Sequence, residues 1–151
     1  MHTFETIADL AAATGTTLGT SDALLVDQAM IDAFADATGD RQWIHVDVER
    51  ARRELPGGRT IAHGYLLLSL LPRLTATLYT VRRRSRGLNY GLDRVRFVTP
   101  VPAGSLVRLD VALDRVLNVD GGKRFTFTST LRVDDAARPA LVATTLAQLY
   151  D

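Results

Sequence analysis

Three features of the sequence predict an α+β fold in which an antiparallel sheet curls around one very apolar helix. Residues 64–79 hold Tyr65, Leu66, Leu67, Leu68, Leu70, Leu71, Leu74 and Leu78. Apolar side chains then cover most of a helix circumference, and such a helix has to be wrapped by other structure. After Thr80 the spacing of apolar residues changes from the helical 3.6 to the strand period of 2. No repeat, low-complexity tract or linker-like stretch divides the 151 residues, so one domain over residues 1–151 is expected.

Along the chain, residues 3–14 read as a short helix, with Phe4, Ile7, Leu10 and Ala11 at helical spacing. Residues 21–26 are the first expected strand. Asp27 is placed to cap a helix over residues 28–38, whose Ile31, Phe34, Ala35 and Thr38 share a face. Gly39 ends it, as the residue that most readily takes the left-handed C-terminal conformation. A polar stretch over 40–46 precedes a short charged helix near 47–55, stopped by Pro56, Gly57 and Gly58. In the leucine-rich helix Pro72 removes one backbone donor and is expected to bend it.

The strands follow. Residues 106–116 put Val107, Leu109, Val111 and Leu113 on one face, with Arg108, Asp110 and Asp114 on the other. Residues 123–133 alternate in the same way, with Phe125, Phe127, Leu131 and Val133 inward, and Asp120-Gly121-Gly122 makes the hairpin turn between the two. Residues 141–150 and 88–97 are the third and fourth strands of this set. The simplest packing is a sheet curled over the helix in two layers.

Composition narrows the chemistry. With no cysteine, the chain has no disulfide, no thiolate metal site and no cysteine nucleophile. Lys plus Arg is 18 against 17 for Asp plus Glu, a net charge of +1, which supplies no basic field to hold nucleic acid. The start, MHTFETIADLAAAT, carries acidic residues early and no long apolar core, so it does not read as a signal peptide. The longest apolar-rich run, 61–72, is interrupted by His63 and Ser69 and is too short to span a bilayer, and a soluble cytoplasmic protein is expected. No GxGxxG, P-loop, GxSxG or HExxH occurs. The only histidines are His2, His45 and His63, so a three-histidine metal site would have to use His2, and no metal is expected.

Three groups of residues are left to carry chemistry. Asp40 and His45 lie five positions apart in TGDRQWIH, which does not bring them together on one helix. An irregular turn after Gly39 would let them converge, and a carboxylate and an imidazole gripping one water supply acid and base near neutral pH. The plain alternative makes Asp40 a cap and His45 a half-buried loop residue. In Ile61-Ala62-His63-Gly64, the Gly64 N–H opens the leucine-rich helix, where a donor without an intrahelical partner suits a developing oxyanion. The alternative is a tight loop-to-helix junction with His63 turned to solvent. Ser69 is either a polar contact in a tunnel or a hydroxyl bonded back to its own helix. The run Arg82, Arg83, Arg84 and Arg86 either grips phosphates or is a solvated face.

Together these residues form a family pattern. The order Phe34-Ala35-x-x-Thr38-Gly39-Asp40-x-Gln42-x-Ile44-His45-x-Asp47, then Ala51, then Ile61-Ala62-His63-Gly64, resembles the MaoC-like (R)-specific enoyl-CoA hydratases, or hydratase 2. Asn89-Tyr90-Gly91-Leu92-x-x-Val95-Arg96-Phe97 and Pro100-Val101-Pro102-x-Gly104 are similar to the same family, so the resemblance runs from about Phe4 to the C-terminal end. It implies a hot-dog fold, a long helix wrapped by an antiparallel sheet. It also implies a hydro-lyase that reversibly adds water to trans-2-enoyl-CoA to give the (R)-3-hydroxyacyl-CoA. Asp40 and His45 would activate the water and move its proton, the Gly64 N–H would hold the thioester oxygen, and Ser69 falls where some relatives carry a serine close to the catalytic Asp. The resemblance implies no cofactor, since coenzyme A arrives with the substrate. The expected partners are an acyl-CoA or an acyl carrier protein thioester, and a second copy in a homodimer; nucleic acid and membrane are not among them.

The commonest form of the motif has Asn-Pro ahead of the Leu/Ile-His, where Gln42-Trp43 stands here. A branch that includes relatives of nodulation protein N shares Gln-Trp. Trp43 is then a tunnel wall or a core anchor. Two other functions use the same scaffold. A hot-dog acyl-CoA thioesterase would need a carboxylate on or near the central helix, and residues 64–79 contain no Asp or Glu. A non-catalytic acyl-thioester-binding subunit would have no use for an intact Asp40–His45 pair.

Overall fold

The computed structural model describes residues 1–134 and 136–151. The chain opens with strand β1 (His2–Thr6) and helix α1 (Ile7–Ala12), where a single helix over 3–14 was expected. Thr6 decides the boundary. Its hydroxyl accepts from the Asp9 N–H at 3.1 Å while the Asp9 carboxylate accepts from the Thr6 N–H at 2.9 Å, a reciprocal cap that starts the helix at Ile7. The residues before it stay extended.

The strand expected over 21–26 is shorter, and an unexpected one precedes it: β2 (Thr16–Thr20) and β3 (Leu24–Val26). Ser21 lies between them. Its N–H donates to the Leu109 carbonyl at 2.8 Å and its Oγ accepts from the Leu109 N–H at 2.9 Å, so a side chain replaces a main-chain acceptor and interrupts the strand there.

Helix α2 (Gln28–Thr38) has the predicted bounds. The Asp27 carboxylate accepts from the Met30 N–H at 2.9 Å, and Gly39, at φ +78°, closes the helix by donating to the Ala35 carbonyl. The polar stretch after it contains a one-turn helix, α3 (Trp43–Val46). Asp47 then caps α4 (Val48–Glu54), the expected charged helix, and Pro56–Gly58 form a single 3₁₀ turn.

The leucine-rich segment is two helices, α5 (Gly64–Ser69) and α6 (Leu71–Leu78), with Leu70 as the joint. The Leu70 N–H is shared between the Leu66 and Leu67 carbonyls at 3.1 and 3.3 Å. Pro72 stands in the first turn of α6, where a missing N–H breaks no intrahelical bond, so the proline divides the helix instead of bending it. Tyr79, expected as the last helical residue, begins strand β4 (Tyr79–Arg83), which pairs in parallel with β1.

The remaining strands are β5 (Arg86–Phe97), β6 (Ser105–Val119), β7 (Gly122–Val133) and β8 (Leu141–Tyr150). The main sheet runs β2-β6-β7-β8-β5, with β3 also paired to β6, and every pairing in it is antiparallel. The alternation seen in the sequence holds: Val107, Leu109, Val111 and Leu113 are buried with Phe125, Phe127 and Leu131 of β7. Leu66, Leu67, Leu70, Leu71, Leu74 and Leu78 are buried in the same cluster, so the sheet encloses the helices as expected, in the hot-dog arrangement. No helix among the described residues is long and apolar enough to cross a membrane.

Each of these leucines contributes roughly 1.5–3 kcal/mol by burial. Leu74, at 2% exposure, is the test of the enclosure. Leu74→Ala should lower unfolding free energy by about 2–5 kcal/mol in chemical denaturation, through lost transfer energy plus the cavity left behind.

Candidate active site

The end of α2 sets the first side of the site. The Thr38 hydroxyl donates back to the Phe34 carbonyl at 2.8 Å, and Gly39 turns the chain so that Asp40 leaves the helix axis. The Asp40 side chain is exposed, and only a long contact, 3.4 Å from the Gln42 N–H, reaches its carboxylate from the adjoining turn. A bond of that length holds weakly. The carboxylate is therefore open to a ligand.

The single turn of α3 points His45 inward, where it is 8% exposed. Gln28 anchors this turn: its Nε2 donates to the His45 carbonyl at 2.8 Å, and its Oε1 accepts from the buried Thr60 hydroxyl. The His45 Nδ1 lies 2.6 Å from the Ile61 carbonyl. A carbonyl only accepts, so Nδ1 carries the hydrogen, and Nε2 of the neutral ring is a bare acceptor. Burial, above all, lowers the His45 pKa from its ordinary 6.5. The hydrogen bond to Ile61 opposes that shift, a charge on His63 adds to it, and the Asp40 carboxylate opposes it.

His63 is the residue that the sequence placed least well. It is 2% exposed rather than turned to solvent. Its ring stacks on His45 with centroids 3.8 Å apart and 25° between planes, and Phe34 of α2 lies against it at 5.0 Å. Its Nε2 faces the Asp40 carbonyl at 2.9 Å. One carboxylate oxygen of Asp40 and one ring nitrogen from each histidine lie within 4.8 Å of one another. Asp40 and His45, separate in sequence, are thus brought together, with His63 behind them. A carboxylate with two imidazoles is also a metal-ligand composition. Each ring also has one nitrogen turned to a main-chain carbonyl, His45 to Ile61 and His63 to Asp40.

Gly64 opens α5, and a Cβ built there would stand 3.0 Å from three ring carbons of Phe97 on β5. Glycine permits that approach. The Ser69 hydroxyl donates to the Tyr65 carbonyl of its own helix at 2.8 Å. Ser69 also lines a cavity of about 800 Å³ between α5–α6 and strands β5 and β8, with Leu68, Leu71, Leu92 and Leu146. The cavity's described lining does not include Asp40, His45 or Gly64. Trp43 is half-buried, with the Arg50 guanidinium 4.0 Å above its ring, and it does not line the cavity. Of the arginine run, Arg82 pairs with Glu5 at 2.8 Å and Arg84 reaches the cavity rim beside Tyr79, whose pKa burial raises to about 12.

Sequence reasoning missed Gln28, Thr60 and Phe97 as parts of this site. Their roles depend on main-chain atoms and ring positions far away in the chain, and no spacing rule reports those.

The sequence matches the family described as MaoC like domain over residues 9–137. It is 48% identical over 149 residues to 3-hydroxyacyl-thioester dehydratase Z of Mycobacterium tuberculosis, covering 98% of each chain. It is 46% identical over 140 residues to nodulation protein N of Rhizobium leguminosarum bv. viciae, covering 91% of this chain and 86% of that one. Among solved structures, the unliganded R-hydratase PhaJ1 from Pseudomonas aeruginosa is similar in fold, with a TM-score of 0.79 at 19% identity over 98% of this chain and 87% of that one. With the motif, the enclosed helix and these similarities in agreement, the chain belongs to the MaoC-like domain family.

Proposed function

We propose that the protein is an (R)-specific enoyl-CoA hydratase, or 3-hydroxyacyl-CoA dehydratase in the reverse direction, working in the cytoplasm. The observation that carries this is the meeting of an open carboxylate, Asp40, with a buried imidazole whose Nε2 is left as an acceptor. The 48% identity to a protein named as a 3-hydroxyacyl-thioester dehydratase supports it.

A carboxylate and a neutral imidazole are both acceptors, so together they take both hydrogens of one water and turn its oxygen toward C3 of the enoyl thioester. One of the pair removes a proton as the C3–O bond forms. The π electrons move toward the thioester, and a proton delivered from the pair closes the C2–H bond. The Gly64 N–H donates to the thioester oxygen while it carries the negative charge. Ser69 and the cavity of about 800 Å³ are assigned to the acyl chain. The chemistry draws on no metal or resident cofactor, and coenzyme A, or a carrier protein's thioester arm, arrives with the substrate.

Purified protein mixed with trans-2-enoyl-CoAs of increasing chain length should remove the enoyl-thioester absorbance. Asp40→Asn and His45→Gln should each cut kcat by about 10²–10⁴-fold while folding normally. A folded Asp40→Asn variant with near-full rate would end the assignment. Release of free thiol in place of hydration would favour a thioesterase, against which stands the lack of any Asp or Glu on α5 or α6. Saturable binding without turnover would favour a binding subunit.

His45 must be neutral for its Nε2 to accept a hydrogen from the water, and burial lowers its pKa. The acid limb of kcat/KM should therefore fall below pH 6.5, and hydration should persist at pH values where an exposed histidine is mostly protonated.

A homodimer is part of the proposal. Strand β5 is an edge of the main sheet and exposes Leu88, Tyr90, Leu92 and Phe97, and Tyr65 of α5 packs edge-on against Phe97. An exposed apolar edge of this kind is a template for pairing. Sedimentation equilibrium should give a dimer, and Tyr90→Lys combined with Leu92→Lys should shift it toward monomer.

A further inference from the structure

His63 takes no part in the chemistry proposed above, yet it is the most deeply buried charge-capable side chain at the site. It is 2% exposed, and it sits between Phe34 of α2 on one side and the His45 ring on the other. One nitrogen, Nε2, meets the Asp40 carbonyl at 2.9 Å; the other, Nδ1, is buried with no hydrogen-bond partner among the described residues. Because a carbonyl only accepts, the hydrogen is on Nε2 and Nδ1 is bare.

An unsatisfied buried nitrogen is an expense that an apolar residue at this place would avoid. What the imidazole supplies in return is a pair of simultaneous contacts. Its N–H holds the main chain of Asp40, whose own atoms are otherwise met in the exposed turn by long contacts of 3.4 Å, from the Asp40 N–H to Thr38 Oγ1 and from the Gln42 N–H to Asp40 Oδ1, while the Arg41 N–H spans Asp40 to the Gly39 carbonyl at 3.1 Å. Its face backs His45, whose edge is held by Ile61.

We propose that His63 is a positioning residue for hydration, which sets the separation of Asp40 and His45 by bonding the main chain of one and stacking on the ring of the other. It is assigned no contact with the reacting water or the substrate. The proposal rests on the hydratase reading and deepens it.

Two variants separate the two contacts. His63→Phe keeps a ring against His45 and loses the donor; His63→Gln keeps an amide N–H at a similar reach and loses the ring. With the enoyl-CoA that wild type hydrates best, His63→Phe should keep its unfolding midpoint and KM. Its kcat should fall roughly 10- to 100-fold, as expected for a reacting pair displaced by a fraction of an ångström to one ångström. His63→Gln should recover most of that loss. If His63→Phe does not fold, His63→Met replaces it, since Met matches Gln in length and has no donor.

A donor-free variant with kcat within about twofold of wild type would overturn the proposal. So would a loss in His63→Gln as large as in His63→Met, which has the same length and no donor, or a rise in KM at constant kcat, because each would make His63 a filler of volume. Absence of hydration by wild type itself would instead overturn the hydratase reading and the proposal with it. That failure is visible before any variant is compared.

Discussion

A helix that is apolar on most of its circumference can be stable in water only if structure covers it on several sides, and this protein is organised around that requirement. Leu66, Leu67, Leu70, Leu71, Leu74 and Leu78 spread their burial around α5 and α6, and the antiparallel sheet supplies Val111, Leu113, Phe125 and Phe127 to meet them. Enclosure also fixes where the helix begins. The segment leading into α5 is tied on both sides: the Ile61 N–H donates to the Ile44 carbonyl of α3 at 3.0 Å, and the Ala62 N–H donates to the Val101 carbonyl at 2.8 Å. The carbonyl that orients His45 and the histidine that stacks on it both belong to this tied segment, so the site inherits its rigidity from the core.

Both imidazoles are held by carbonyl oxygens, not carboxylates. A carboxylate behind His45 would stabilise its imidazolium and raise its pKa; a carbonyl orients the ring with a weaker preference for the charged form. Burial then outweighs the hydrogen bond and lowers the His45 pKa. The only carboxylate in the cluster, Asp40, faces the open side. The carboxylate and a nitrogen of each ring thus lie together, while the buried side is hydrogen-bonded through the main chain.

Much of this was legible in residue order. Asp27 and Gly39 act at the helix ends, where short polar side chains and glycine satisfy or release the backbone, and they do so here; Asp47, read as the start of the charged helix, turns out to cap it. The strands over residues 106–116 and 123–133 were readable because one face is buried and the other wet. The first turn of the chain was misread for a physical reason: Phe4, Ile7, Leu10 and Ala11 fit a helix, but Thr6 and Asp9 cap it at Ile7 and β4 takes the residues before it as a strand partner. Ser21 likewise splits a strand through a bond to Leu109, 88 residues away. Such contacts leave no trace in local periodicity.

The sequence by itself determined the fold class, the apolar segment that has to be enclosed and the four long strands that cover it, and it singled out Asp40, His45 and Gly64 as candidates, because local periodicity, end-capping chemistry and a family motif are properties of neighbouring residues. Tertiary structure alone decided that Asp40 and His45 meet, that His63 lies buried behind them, and that Gln28 and Thr60 brace the turn between. Hydrogen bonds from side chains to distant carbonyls bring those groups together, and a carbonyl is present at every residue. Which one a side chain finds is settled only when the core closes.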